Sequence, residues 1–130
     1  MFTPVNLRYT SHHLWLNPVG RNDVYVGITD FAQKEIGRID SLDIQREGSV
    51  IEKGESFGTI YGANKSFDLI MPVSGRIIML NAEIEKNTRL LNSDTYHFWI
   101  VLMTIGAKNL HGVKFLSAAE YKTLILQKNN

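Results

Sequence analysis

The chain contains no cysteine among its 130 residues. Disulfide cross-links, thiolate metal sites and cysteine nucleophiles are therefore excluded, and the core must be held by packing alone. Long apolar runs are missing too, because no window approaches the roughly 20 apolar residues that a membrane span requires. The first residues show no charged leader followed by an apolar stretch. We therefore expect a cytoplasmic protein with no contact to a membrane.

The chain also has no large excess of positive or negative charge. The 14 lysines and arginines are interspersed with 13 aspartates and glutamates, which leaves a formal net charge of +1. Without a basic patch, a nucleic-acid surface is not expected. An apolar content of 44% in 130 residues can build one core but hardly two. The sequence thus predicts a single domain spanning residues 1–130.

Catalytic and metal-binding patterns are absent as well. His12 and His13 are adjacent, so on a strand they face opposite sides and cannot chelate one ion together. His97 and His111 lie far away in the sequence, and no Ser-His-Asp or paired-carboxylate pattern accompanies them. We expect no metal site, no catalytic residues and no independent enzymatic activity.

What the chain does contain is a series of short strand-like segments separated by turn residues. They alternate apolar and polar residues or carry β-branched side chains, and they cover residues 23–29, 39–44, 49–51 and 76–80. Residues 99–104 form an almost continuous apolar run, which predicts a strand buried on both faces. Short strands with regular turns indicate a barrel or a sandwich.

Helical signals are shorter and lie between or after these strands. A helix over residues 31–36 is predicted, with the Asp30 carboxylate accepting from the Gln33 backbone N–H and Gly37 ending it. Residues 81–87 have modest helical character. A last helix over residues 118–127 is predicted by the capping box of Ser117 and Glu120. The predicted fold is therefore mainly β with short peripheral helices and a C-terminal helix.

The most informative segment is residues 54–75, which reads as a strand, a tight turn and a strand. Lys65 lies at the turn. Two β-segments that meet at a small polar apex hold one side chain out on a rigid support, as a protein does when it presents a lysine for modification.

Several ordered blocks of the chain resemble the H protein of the glycine cleavage system. They extend over nearly the whole sequence and comprise residues 9–15, 26–33 with 36–37, 54–58, 68–69 with 72–75, 90–92 with Asp94, Tyr96 and Trp99, and 116–121.

The resemblance implies a lipoyl-type barrel-sandwich hybrid, a flattened barrel of two small sheets. It also implies a carrier and not an enzyme, with lipoate in amide linkage on a hairpin lysine. The implied partners are the glycine-cleavage decarboxylase, the aminomethyl transferase, dihydrolipoamide dehydrogenase and a lipoate ligase.

The chain departs from the family pattern at the apex. Alignment from both flanks of the hairpin places Asn64 at the family's lipoyl-lysine position, and Lys65 falls one residue late. Asn64 cannot form the lipoyl amide. Tyr61 and Gly62 stand where the family usually has a Glu-Ser pair, and the net charge of +1 also differs from the acidic character of lipoyl carriers.

Three hypotheses follow. In the first, the chain is a binding module that lacks ordinary lipoyl attachment. In the second, it is a divergent carrier lipoylated on Lys65. In the third, it is an independent enzyme, although no catalytic residue pattern supports this. In the first two, the partner-binding residues are predicted to be Tyr61, Asn64, Lys65 and Asp68.

Overall fold

The computed structural model describes residues 2–128. It contains nine strands: β1 (Arg8–Tyr9), β2 (Leu14–Val19), β3 (Asp23–Ile28), β4 (Ile39–Ile44), β5 (Val50–Ile51), β6 (Ser56–Gly62), β7 (Ser66–Ile70), β8 (Gly75–Leu80) and β9 (Val101–Thr104). Its helices are α1 (Asp30–Ile36), α2 (Ala82–Lys86), α3 (Leu90–Ser93), α4 (Ala107–Gly112) and α5 (Ala118–Lys128). No helix within residues 2–128 is both long and apolar enough to cross a membrane.

The strands form two antiparallel sheets. Six of them pair in the order β1-β2-β3-β9-β8-β5, and the other three pair in the order β4-β6-β7. This confirms the predicted mainly-β fold with two small sheets, short helices and a C-terminal helix. The sheets do not close into a barrel, since no strand within residues 2–128 pairs with the outer edge of β4.

Two hydrophobic clusters lie on opposite faces of the larger sheet. The main core joins side chains of both sheets and contains Leu14 and Leu16 of β2. Trp15 points to the other face and packs in a second cluster with Tyr121 of α5. The expectation that the chain could hardly build two cores was wrong, because one shared sheet supports both.

The helix ends follow local hydrogen bonds, with one correction at α1. The Oγ1 atom of Thr29, and not the Asp30 carboxylate, caps this helix by accepting from the Ala32 N–H at 3.3 Å. At α5 the predicted capping box is present, since Ser117 and Glu120 exchange bonds of 2.9 and 3.1 Å.

Strand β9 differs from the prediction of a strand buried on both faces. Val101 and Met103 are buried, whereas Leu102 and Thr104 are half-buried. One face of β9 packs on the main core, and the other is only partly covered.

Candidate functional site at the hairpin tip

Strands β6 and β7 form the predicted hairpin, and its tip is the exposed loop of residues 63–65. Tyr61 pairs with Ser66 at the last position of the ladder. The Gly62 N–H donates to the Lys65 carbonyl oxygen at 3.2 Å and closes the loop. The loop is short, so its conformation is set largely by its two ends.

Two further main-chain hydrogen bonds attach the tip to the segment after α1. Ala63 N–H donates to the Arg38 carbonyl oxygen at 2.9 Å, and Asn64 N–H donates to the Ile36 carbonyl oxygen at 3.0 Å. The last carbonyl groups of a helix receive no hydrogen bond from within the helix. The Asn64 N–H therefore supplies the donor that the Ile36 carbonyl at the end of α1 lacks. The tip is therefore fixed to the body of the domain.

Gly62 sets the register of this attachment. A Cβ at position 62 would lie 2.6 Å from the Ile36 carbonyl oxygen, so only glycine fits there. If the hairpin slid by one residue and brought Lys65 to the place of Asn64, Ala63 would move into the place of Gly62. Its methyl group would collide with the main chain. We call the place whose N–H donates to the Ile36 carbonyl oxygen the tip position. The hairpin consequently holds Asn64, and not Lys65, at this position.

Gly37 and Asn92 support the tip from below, and neither was predicted as part of the site. Gly37 has a φ of 79°, and a Cβ there would lie 2.8 Å from Nδ2 of Asn64. Asn92 Oδ1 accepts from the Ile39 N–H at 2.8 Å, while its Nδ2 donates to Gln33 Oε1 at 2.7 Å and to the Gly37 carbonyl at 3.0 Å. These partners are 53 to 59 residues away in the chain, so no local sequence pattern indicates this role.

The remaining predicted site residues surround the tip. Tyr61 is 45% exposed, and Asp68 is exposed and accepts a hydrogen bond of 3.0 Å from Thr59 Oγ1. Tyr61 lies two residues beyond Thr59 on β6, and Thr59 pairs with Asp68. Side chains of paired residues and of residues two apart share a face, so Tyr61 and Asp68 lie on the same outer face of the small sheet.

Lys65 is the last residue of the loop and is exposed. Within residues 2–128, its ammonium group forms no ion pair. A lysine amine can be acylated, whereas the carboxamide of Asn64 has no nucleophilic nitrogen. The residue at the tip position therefore does not fit a lipoyl amide, and the residue that has the right chemistry lies one position further on.

A buried polar network lies on the far face of the large sheet. His13 Nδ1 is 2.8 Å from the Tyr121 hydroxyl, which is 2.6 Å from Thr29 Oγ1. Burial raises the pKa of Tyr121 well above its usual range. His13 is buried and His12 exposed, and among residues 2–128 no three His, Asp or Glu side chains form a metal-binding group.

The described residues form a two-sheet domain whose hairpin tip is exposed and hydrogen-bonded to the segment after α1. Comparisons with known proteins identify the family to which this domain belongs. The model of the glycine cleavage H-protein family matches residues 7–128. The chain is 39% identical over 124 residues to the glycine cleavage system H protein of Bacteroides fragilis, covering 94% of this chain and 96% of that one. It is 36% identical over 125 residues to the H protein of Chlorobium chlorochromatii, covering 96% and 98%.

A solved structure agrees as well. The crystal structure of a glycine cleavage system H protein from Mycobacterium marinum matches with a TM-score of 0.78 and 26% identity, covering 92% of this chain and 96% of that one. The chain belongs to the glycine cleavage H-protein family. Members of this family are lipoyl carrier proteins and not enzymes, and they interact with enzymes of the glycine cleavage system.

Proposed function

We propose that this family member is a non-enzymatic binding module that lacks ordinary lipoyl attachment and docks a partner enzyme through its hairpin tip. The observation that carries the proposal is the place of Asn64, whose N–H bonds to Ile36 and whose side chain lies against Gly37. An asparagine at this place cannot be lipoylated.

The close contact at Gly62 also determines where Lys65 lies. Because Gly62 leaves no room for a methyl group, Lys65 stays one residue beyond the tip position. Consecutive Cα atoms of a chain are about 3.8 Å apart, so the Lys65 side chain leaves the loop from a different point than a side chain at position 64. A modifying enzyme that reads the tip position would therefore meet the amine in the wrong place.

The docking surface that we propose consists of Tyr61, Asn64, Lys65 and Asp68. An exposed aromatic ring beside a fixed loop is a common anchor of protein interfaces. The proposed partners are the glycine-cleavage decarboxylase, the aminomethyl transferase, dihydrolipoamide dehydrogenase or a lipoate ligase. The single domain over residues 1–130 and the cytoplasmic location remain predictions.

A carrier function with lipoate on Lys65 is the second candidate. The observation behind it is that Lys65 is exposed and that its ammonium group forms no ion pair within the described residues. An enzyme that tolerates a displaced amine could reach it.

Intact mass after co-expression with a lipoate ligase and lipoate separates the two candidates. Three chains are compared: the natural sequence, Lys65→Arg, and the double variant Asn64→Lys with Lys65→Arg, which moves the only tip amine to the tip position. An H protein with a lysine at this position is the positive control. We expect a lipoyl increment in the double variant and in the control, and none in the natural chain.

An increment in the natural chain that disappears in Lys65→Arg would overturn the binding-module proposal and establish the carrier. An increment that persists in Lys65→Arg would point to another lysine and would also contradict the proposal.

A further inference from the structure

The sheets remain apart along one side of the molecule, where the outer edge of β4 faces β8 and α2 across an open groove. The groove has a volume of about 370 Å³. We call it the edge groove and define it by Leu42 and Ile44 of β4, Leu80 of β8, and Asp43 and Glu85 on its rim. It lies on the side of β4 opposite to β6, away from the hairpin tip.

The floor of the edge groove is a part of the main core that remains partly exposed to solvent. Leu42, Ile44 and Leu80 pack against the core cluster but are only half-buried. Ile84 and Ile100 also line the groove and are 1% exposed. A ligand that covers this floor would remove apolar surface from water, which favours binding.

The backbone of β4 is available along the same groove. The Gln45 N–H donates to the Phe57 carbonyl oxygen at 2.9 Å, which fixes the phase of the ladder between β4 and β6. Hydrogen-bonding residues alternate in an antiparallel pair, so the main-chain groups of Leu42 and Ile44 point away from β6 and into the groove. At the start of β4, the Thr88 hydroxyl donates a hydrogen bond of 3.0 Å to the Ile39 carbonyl oxygen. The part of the β4 edge that is open to a ligand therefore begins after Ile39.

The rim is negatively charged. Asp43 and Glu85 are exposed, and neither forms an ion pair within residues 2–128. Asp40 is different, because Arg38 donates a hydrogen bond of 2.9 Å to it and lowers the pKa of its carboxyl group. Among the residues that line the groove, the carboxylates without an ion pair within residues 2–128 are therefore those of Asp43 and Glu85.

We propose that the edge groove binds an extended segment of a partner protein in which apolar residues alternate with lysine or arginine. The segment adds to β4 as a further strand and bonds to the main chain of Leu42 and Ile44. Its apolar side chains cover the floor, since alternate residues of a strand share a face. Its basic side chains reach Asp43 and Glu85, which gives the interface its charge complementarity.

The test uses the full chain labelled with ¹⁵N and an acetylated, amidated peptide of four lysines alternating with three valines. We expect saturable shifts of the Leu42 and Ile44 amide signals and slower hydrogen exchange at both. The same peptide with glutamate for lysine should not bind. Glu85→Lys should weaken binding about fivefold, as expected for reversing one exposed charge. Glu83→Lys, the same change on α2 outside the groove, should leave the affinity unchanged.

Asp43→Lys repeats the charge test on β4 and should also weaken binding. The lysine-valine peptide with N-methylated valines cannot donate from those positions and should lose most of its affinity. Equal binding of the glutamate peptide, equal effects of Glu83→Lys and Glu85→Lys, or undiminished binding of the N-methylated peptide would each overturn the proposal. So would the absence of saturable binding at millimolar peptide.

Discussion

Replacing Gly62 by alanine is the most direct test of the fixed hairpin tip. The added methyl carbon would lie 2.6 Å from the Ile36 carbonyl oxygen and 3.0 Å from the Arg38 carbonyl oxygen, and closer still to Ile36 Cγ2. Ordinary contacts of a carbon atom are about 3.5–4.0 Å. A rotation of the Ile36 side chain would relieve only one of these contacts, because the two oxygens belong to the main chain.

The structure can respond in two ways, and both have a similar cost. If the tip stays in place, overpacking costs about 1–3 kcal/mol. If the tip lifts, the hydrogen bonds from the Ala63 and Asn64 N–H groups are lost, at about 1 kcal/mol each. Gly62→Ala should therefore lower the free energy of unfolding by about 2 kcal/mol. Urea denaturation followed by tryptophan fluorescence measures this, and amide exchange at Asn64 should become faster.

Gly112→Ala is the matched control. Gly112 is the last residue of α4, and nothing lies within 4 Å of a Cβ built on it. Its substitution should change the stability by no more than about 0.5 kcal/mol. If Gly62→Ala proved as stable as Gly112→Ala and left Asn64 exchange unchanged, the close contact between the tip and α1 would be refuted.

Three further predictions concern other parts of the molecule. Asn92→Ala removes three hydrogen bonds beneath the tip and should cost about 2 kcal/mol in urea denaturation, so an unchanged midpoint would contradict its supporting role. Tyr61→Glu should leave the stability within about 0.5 kcal/mol, because the side chain is exposed, yet weaken any partner bound at the tip; unchanged affinity in a titration would count against that surface. Burial raises the pKa of both Tyr9 and Tyr121, so the folded chain holds their protons more tightly than the unfolded chain. Their stabilising contribution is complete below the ordinary tyrosine pKa of about 10 and is lost as the pH rises above it, which urea titrations at pH 8 and pH 10.5 would detect; equal stability at both would refute it.

Much of the fold could be predicted because its signals are local. Strand β4 has the predicted bounds, Ile39–Ile44, and the α5 capping box involves residues three apart. Helix α4 was missed, since its first N–H is capped by Asn22 Oδ1, 85 residues away in the chain. A contact between residues so far apart in the chain cannot be predicted from the pattern of neighbouring residues.

The candidate site divides in the same way. The order of residues in the hairpin was enough to predict an exposed turn at Asn64 and Lys65. It could not show that Gly62 fixes the register, because the group that would collide with a methyl at this position belongs to Ile36. The alternation of apolar and polar residues predicts the two strands of the hairpin. It does not predict that the end of α1 lies beneath the hairpin tip.

The three main-chain bonds that hold the tip also bear on the speed of recognition. Ordering one mobile residue costs about 1–2 kcal/mol of conformational entropy, and here that cost is already contained in the folding free energy. A partner that docks at the tip meets a preformed surface, so its association should follow rigid-body kinetics of about 10⁵–10⁷ M⁻¹s⁻¹. Substitutions at the tip that leave the fold intact would then change how long the complex lasts more than how fast it forms.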